Sequence, residues 1–375
     1  MLGPKQEQGI YIHIPFCKQA CSYCNFYFVT GERDHSDFIA AANKEITDSS
    51  EFFGSTRIIH SIYFGGGTPS KLTLKEIESI LERIRSTYIV DTDAEITLEA
   101  NPDDITKENV QAWYNLGINR ISLGIQSFDD GLLKLMRRSH DSKEAMHAAS
   151  ILSQSQFTNY SFDLIIGQIH QDLDMLNNDL RLLESFKPPH LSTYLLTVEE
   201  RTHLYREIQR KRLPDVEDKA QEEHYLRLME WSESQRYIHY EISSFALEGY
   251  RARHNANYWN HSPYLGIGPS AHSFDGKKRY WNTRNLKDYI ASASASRKEE
   301  TLSRTDLVNE RIMLGLRQSK GIEIDSLGLS HSERKVFLDR LQTVNPYHIQ
   351  QDSTHIQLTN NGKLYSDGIA ATLFL

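Results

Sequence analysis

Residues 9–26 read Gly9-Ile10-Tyr11-Ile12-His13-Ile14-Pro15-Phe16-Cys17-Lys18-Gln19-Ala20-Cys21-Ser22-Tyr23-Cys24-Asn25-Phe26. The run Gly9–Ile14 is rich in β-branched and aromatic residues and is ended by Pro15, the pattern of a buried strand. Directly after it come Cys17, Cys21 and Cys24, the only three cysteines among 375 residues. An odd number of closely spaced thiols is poor disulfide chemistry and good metal chemistry. A closed zinc site wants four ligands, so a histidine would have to complete it. An iron–sulfur cluster is held by thiolates, and three of them can hold three corners of a four-iron cube, leaving the fourth iron open. On spacing alone a cluster, a zinc site and three unremarkable core cysteines all remain readings of this loop.

Downstream, similar apolar runs recur at Ile58–Phe64, Glu95–Glu99, Arg120–Gln126, Ser161–Ile166 and Leu191–Val198, with a seventh candidate at Tyr237–Phe245. Helical patterns alternate with them at Ser36–Thr47, Thr73–Ile84, Thr106–Leu116, Asp129–Met136 with Ser142–Leu152, and Asp174–Ser185. Thr73 and Glu76 have the spacing of a capping box. Such alternation implies an α/β fold with a parallel sheet, either a barrel or an open wound sheet. Function in these sheets gathers at the carboxyl ends of the strands. There the sequence offers the cysteines, Gly65-Gly66-Gly67-Thr68-Pro69, Glu99 with Asn101, and Gln126.

Beyond residue 250 the pattern changes. Residues 251–300 carry Arg253-His254-Asn255-Ala256-Asn257-Tyr258-Trp259, and Ala291–Glu300 reads as a linker or exposed helix end. From residue 301 onward, helical patterns at Leu307–Gln318, Ile324–Gly328 and Glu333–Thr343 precede a strand pair at His348–Gln350 and Thr354–Leu358 and a final helix, Asn360–Phe374. We read 1–250 as the sheet domain, 251–300 as a connecting segment and 301–375 as a mainly helical, winged-helix-like unit. With 42 basic against 50 acidic residues the net charge is −8, which speaks for a packing role of that unit and against nucleic-acid binding. No run is long and apolar enough for a membrane span, and the N-terminus lacks signal-peptide order, so a cytoplasmic location is expected.

The motif Tyr11-x-His13-Ile14-Pro15-Phe16-Cys17-x3-Cys21-x2-Cys24 resembles the radical S-adenosylmethionine (SAM) superfamily. Within it, the chain is similar to the branch of oxygen-independent coproporphyrinogen III oxidases and HemW-type heme chaperones. The resemblance implies a partial (β/α)6 barrel and a [4Fe–4S] cluster on Cys17, Cys21 and Cys24. It also implies SAM on the open iron, cleaved by a cluster electron to methionine and a 5′-deoxyadenosyl radical. Residue by residue, it implies SAM contacts from Tyr11, Gly66, Gly67, Thr68, Glu99, Gln126, Arg138 and Asp163, with Thr197 and His272 on the adenosine side.

Two departures separate the subfamilies. The oxidases carry a further cysteine two residues after the third and a longer segment ahead of the first strand. Here Phe26 stands in that position and Tyr11 lies near the start. His254-Asn255-x2-Tyr258-Trp259 matches the HN-x2-YW sequence associated with heme-binding members of the chaperone type. The resemblance therefore implies heme contacts from His254, Asn255, Tyr258 and Trp259. It further implies heme delivery to acceptor hemoproteins, respiratory ones being expected, with peripheral membrane association through them. An electron donor is implied if SAM is cleaved. Oxidative decarboxylation of coproporphyrinogen III is the alternative.

Overall fold

A computed structural model describes residues 7–31, 34–55, 58–292, 295 and 297–375. Six parallel strands form its centre: β1 (Gln8–Ile14), β2 (Ile58–Gly66), β3 (Ile89–Ala100), β4 (Arg120–Gln126), β5 (Tyr160–Ile166) and β6 (His190–Leu195). Crossovers between them carry α1 (His35–Asp48), α2 (Leu74–Thr87), α3 (Lys107–Asn115), α4 (Asp130–Leu135), α5 (Ser142–Ser153) and α6 (Leu173–Phe186). The Thr73–Glu76 capping box is formed at the start of α2. Ile10, Ile12, Ile62, Phe64, Leu98, Ile121 and Phe162 are buried between sheet and helices, as near-continuous apolar strands require.

After β6 the structure departs from the sequence reading. Two helices, α7 (His203–Gln209) and α8 (Asp218–Ser234), fill a stretch whose polarity hides a narrow apolar stripe, Tyr225, Leu228, Met229 and Trp231. The expected strand Tyr237–Phe245 is a hairpin, β7 (Ile238–Glu241) and β8 (Ser244–Ala246), whose second strand pairs antiparallel with β6. After α9 (Arg253–Trp259), strand β9 (Tyr264–Ile267) joins the other side of β1 in parallel. Three antiparallel strands extend that edge: β10 (His272–Phe274), β11 (Lys278–Trp281) and, beyond α10 (Leu286–Ser292), β12 (Lys298–Thr301). The sheet order is β12-β11-β10-β9-β1-β2-β3-β4-β5-β6-β8-β7, an open arrangement around the six central strands. The segment expected as a linker, Ala291–Glu300, thus contributes the start of an edge strand, while its residues 293, 294 and 296 lie outside the described residues.

C-terminal residues build their own apolar core around Ile312, Leu316, Phe337, Ile356 and Leu373. It is made by α11 (Arg304–Leu316), β13 (Ile322–Glu323), α12 (His331–Leu341), β14 (Ile349–Gln351), β15 (His355–Leu358), α13 (Asn360–Lys363) and α14 (Ser366–Leu373). The expected single final helix breaks at Tyr365, which leaves the helical range (φ −112°, ψ 17°) and stacks on His348.

Glu45 of α1, fully buried, ties the late strands to the front of the sheet. Its carboxylate accepts from Gly268 N (2.9 Å), Asn282 Nδ2 (2.8 Å), Tyr289 OH (2.6 Å) and Arg297 Nη2 (2.8 Å). Glu45→Ala leaves those donors and the Arg297 charge unanswered in the interior, and a loss of about 3–5 kcal/mol in unfolding free energy is expected by denaturant titration. A loss below about 1 kcal/mol would show that the cluster is dispensable.

Candidate functional site

The cysteine loop leaves β1 at Pro15, and the bridge pair Phe16–Cys17 with Val29–Thr30 closes it. Contacts to neighbouring strand-end loops hold it on the rim. Lys18 Nζ pairs with Asp103 (2.8 Å) and Asp104, both after β3. Ser22 donates from N to Met136 O (2.9 Å) and from Oγ to Leu135 O (2.9 Å), and its own carbonyl accepts from Leu204 N (2.8 Å). Cys17, Cys21 and Cys24 are free thiols lining one cavity of about 630 Å³ at the carboxyl ends of the strands. Among the described residues no group of three or more His, Cys, Asp or Glu is placed to hold a single metal ion. Burial pushes the Cys17 thiol up to about 11 and raises Cys24 as well, so ligation must displace protons here.

The glycine turn after β2 lies against this loop. At Gly67 a Cβ would come within 2.8 Å of Ile14 O and 3.0 Å of Cys17 Sγ. At Gly66, whose φ is +109°, a Cβ would sit 2.6 Å from the His13 ring. Only glycine lets the backbone pass this close. Thr68 lies in the same turn and is buried.

Glu99 closes the next position: its carboxylate accepts from Tyr63 OH (2.8 Å) and from Gly66 N (3.1 Å). Gln126 takes a left-handed conformation (φ +68°), and the turn behind it is held by Asp179 of α6, which accepts from Ser127 Oγ (2.8 Å) and Phe128 N (3.0 Å). Asp163 accepts from Ser122 and Ser161, both at 2.8 Å. Thr197 lines the same cavity from the loop after β6.

Arg138 is the positive group of the site. Nη2 donates to Asn101 Oδ1 (2.7 Å) and Gly124 O (2.9 Å), while Nη1 lies 3.5 Å from Cys21 Sγ and 3.4 Å from Tyr23 OH. No carboxylate answers its charge, and its buried Nε has no partner among the described residues. The groups present thus fit their implied ligands: three thiols for a cluster, and a guanidinium awaiting a carboxylate beside them. When bound, cluster and SAM supply a one-electron reductive cleavage of the sulfonium; the protein's part is to fix the thiols, the glycine backbone and the guanidinium.

Burial raises Glu99 to about 7. A carboxyl whose folded pKa lies above its unfolded one favours folding while protonated, and that contribution is lost as pH rises through the interval. In cluster-free protein, the stability difference between wild type and Glu99→Gln should therefore change from about pH 4.5 to about pH 7 and be flat above it. Parallel pH profiles from thermal unfolding check this; a difference independent of pH would refute the burial assignment.

Two implied SAM contacts lie away from the cavity. Tyr11 is one layer below, its ring stacked on Tyr63 and its hydroxyl 3.1 Å from His13 Nδ1. His272 is exposed on β10 and stacks on Trp281.

The four residues implied as heme contacts, His254, Asn255, Tyr258 and Trp259, lie at the opposite end of the sheet, on α9. His254 and Tyr258, one turn apart, face inward. His254 is 2% exposed; its Nδ1 lies 2.9 Å from Ser61 Oγ and its Nε2 2.9 Å from Tyr258 OH. Its ring stacks on Tyr63, and burial lowers its pKa to about 3. Both ring nitrogens are therefore engaged, and iron could reach neither without displacing a partner. Glu95 caps the helix through Arg253 N (3.0 Å) and His254 N (2.9 Å). Trp259 faces the C-terminal unit, under Arg317 and bonded through its carbonyl to Gln318. Asn255 is half-buried between these faces. In this conformation the motif joins the floor of the sheet to the C-terminal unit, and it stands apart from the cysteine cavity.

Residues 11–183 match the model of the radical SAM superfamily. The solved coproporphyrinogen III oxidase (HemN) from Escherichia coli, a radical SAM enzyme, superposes with a TM-score of 0.83 at 21% identity, over 98% of this chain and 90% of that one. A parallel sheet with three thiols on its rim beside a glycine turn is thus a radical SAM fold. Among curated proteins, the heme chaperone HemW of Lactococcus lactis is 31% identical over 96% of this chain and 95% of its own length. The heme chaperone HemW of Escherichia coli is 36% identical over 74% of this chain and 72% of its own. The chain belongs to the HemW family.

Proposed function

We propose that this protein is a heme chaperone: a [4Fe–4S]- and SAM-binding protein that takes up heme and passes it to acceptor hemoproteins. Relatives named heme chaperone, matched along nearly their whole length, carry this reading. Phe26 supports it against porphyrinogen decarboxylation. It occupies the position of the oxidases' fourth cysteine and is 71% exposed at the cavity mouth. Respiratory hemoproteins are the acceptors we infer, met by peripheral contact with the membrane. No described helix is long and apolar enough to cross a membrane, and we infer a cytoplasmic location. An electron donor enters only if SAM is turned over.

Hemin titration of the anaerobically reconstituted protein, followed by Soret absorbance, tests the reading. Saturable binding near one heme per chain is expected; an unsaturable, linear rise would overturn it. His254→Ala, run alongside, addresses the motif. The buried network around His254 leads us to expect lower thermal stability with hemin affinity within about threefold of wild type. Loss of the heme spectrum with the fold intact would instead make His254 the ligand, after a rearrangement of α9. Phe26→Cys is expected to yield no protoporphyrinogen from coproporphyrinogen III under anaerobic turnover, because one thiol at the mouth leaves the deeper lining unchanged. Detectable product would place specificity in that single residue.

A further inference from the structure

Beside the cysteine cavity, and sharing Cys21, Cys24, Asn25, Phe26 and Phe28 with it, opens a second crevice of about 330 Å³. Four arginines from three segments line it: Arg137 after α4, Arg201 and Arg206 just before and on α7, and Arg284 after β11. No aspartate or glutamate is among its lining residues. None of the four guanidiniums enters an ion pair among the described residues. Their hydrogen bonds there go only to backbone carbonyls, Arg206 Nε to Thr202 O (3.2 Å) and Arg284 Nη2 to Asn25 O (3.4 Å). The nearby acids are turned elsewhere: Glu207 to Arg210, Arg212 and His203, and Glu199 to Asn25 Nδ2 (3.3 Å).

Such a concentration of unanswered positive charge runs against the chain's net charge of −8. Arg137 and Arg201 also hold left-handed backbone conformations, φ +55° and +71°, which cost free energy for a residue with a Cβ. Burial, followed by the charges of Arg137, Arg206 and Arg210, keeps the His203 imidazole below its ordinary range. Guanidiniums left free in a crevice are suited to bidentate binding of carboxylates. The exposed Phe26 ring, with Phe28 beside it, adds a flat apolar surface at the common mouth of the two cavities. The complement is a flat apolar ligand with more than one carboxylate.

We infer that the arginine crevice is the propionate-binding part of the heme site, with the macrocycle lying across Phe26 at the mouth of the cluster cavity. This rests on the heme-chaperone reading and places the cargo at the rim, away from α9. The test uses the full-length reconstituted chain and two probes, hemin and its dimethyl ester, which lacks the free carboxylates. In Arg201→Gln/Arg206→Gln, hemin affinity should fall at least tenfold. Ester affinity should be weak in wild type and unchanged in the variant. Arg284→Gln alone should give a smaller loss in the same direction, and serves if the double variant does not fold. Unchanged hemin affinity in the variants, or an equal loss for the ester, overturns the inference and leaves the chaperone reading standing. Slower cluster reduction by an acidic flavoprotein in those variants, with hemin binding intact, would make the crevice a reductant dock and equally overturn it. Wild type that binds neither probe would remove the chaperone reading itself.

Discussion

Replacing Cys17, Cys21 and Cys24 together by alanine is expected to reduce iron in the reconstituted protein from about four atoms per chain to background, with loss of the broad visible absorbance of the cluster. The three thiols are the only ones in the chain, so no other sulfur can take over a corner. The fold should survive. The loop is anchored by Lys18 and Ser22 rather than by the cysteines, and Cys21 and Cys24 are only partly buried. Thermal unfolding alongside iron and sulfide analysis separates the two effects. Full iron content in a folded triple variant would show that the site lies elsewhere.

Arg138→Ala carries the second large effect. The guanidinium is half-buried, has no carboxylate partner among the described residues and stands beside Cys21, so a bound SAM carboxylate would be its natural counter-ion. A charge-assisted bidentate pair in such a place contributes roughly 1.5–3 kcal/mol, so SAM affinity should drop by about 10–100-fold while cluster iron is retained. Calorimetry on cluster-loaded wild type and variant reads the change. Arg138→Lys should recover only part of it, because an ammonium lacks the planar fork. Unchanged SAM affinity would reduce Arg138 to a brace for Asn101 and Gly124.

Most of the cluster site was legible in the sequence because its parts are local. The cysteine spacing, the glycine run and the strand ends lie in short segments whose chemistry is stated by residue type, and a parallel sheet brings strand ends together by construction. Arg138 and Asp163 were reached through resemblance, and both line the cavity. Asn101, Lys18 and Asp179, which brace the site, act across 37 to 86 positions of sequence, and nothing in their local pattern announces it; Lys18 reaches Asp103 over 85 positions and Asp104 over 86. Glu45 looks like any surface glutamate of an amphipathic helix until the late strands cover it.

The region after residue 200 was the least legible. Strands β9 to β12 have only three or four residues each, too short for periodicity to register, and α8 hides its apolar stripe among charges. Residue identity also says nothing of direction: the His254 motif reads as a set of heme contacts, but on α9 its histidine points into the floor of the sheet. The arginines of the second crevice lie between residues 137 and 284 and meet only through the fold.

Heme transfer tests the central claim most directly. Protein loaded anaerobically with one equivalent of hemin is mixed with an apo-hemoprotein separable by size, and the Soret bands of both fractions are followed over time. Movement of heme to the acceptor, faster than from a second loaded protein of no chaperone class, is the result expected of a carrier. Heme that stays with the chain, together with conversion of coproporphyrinogen III by the same preparation, would contradict it and make the protein a porphyrinogen enzyme.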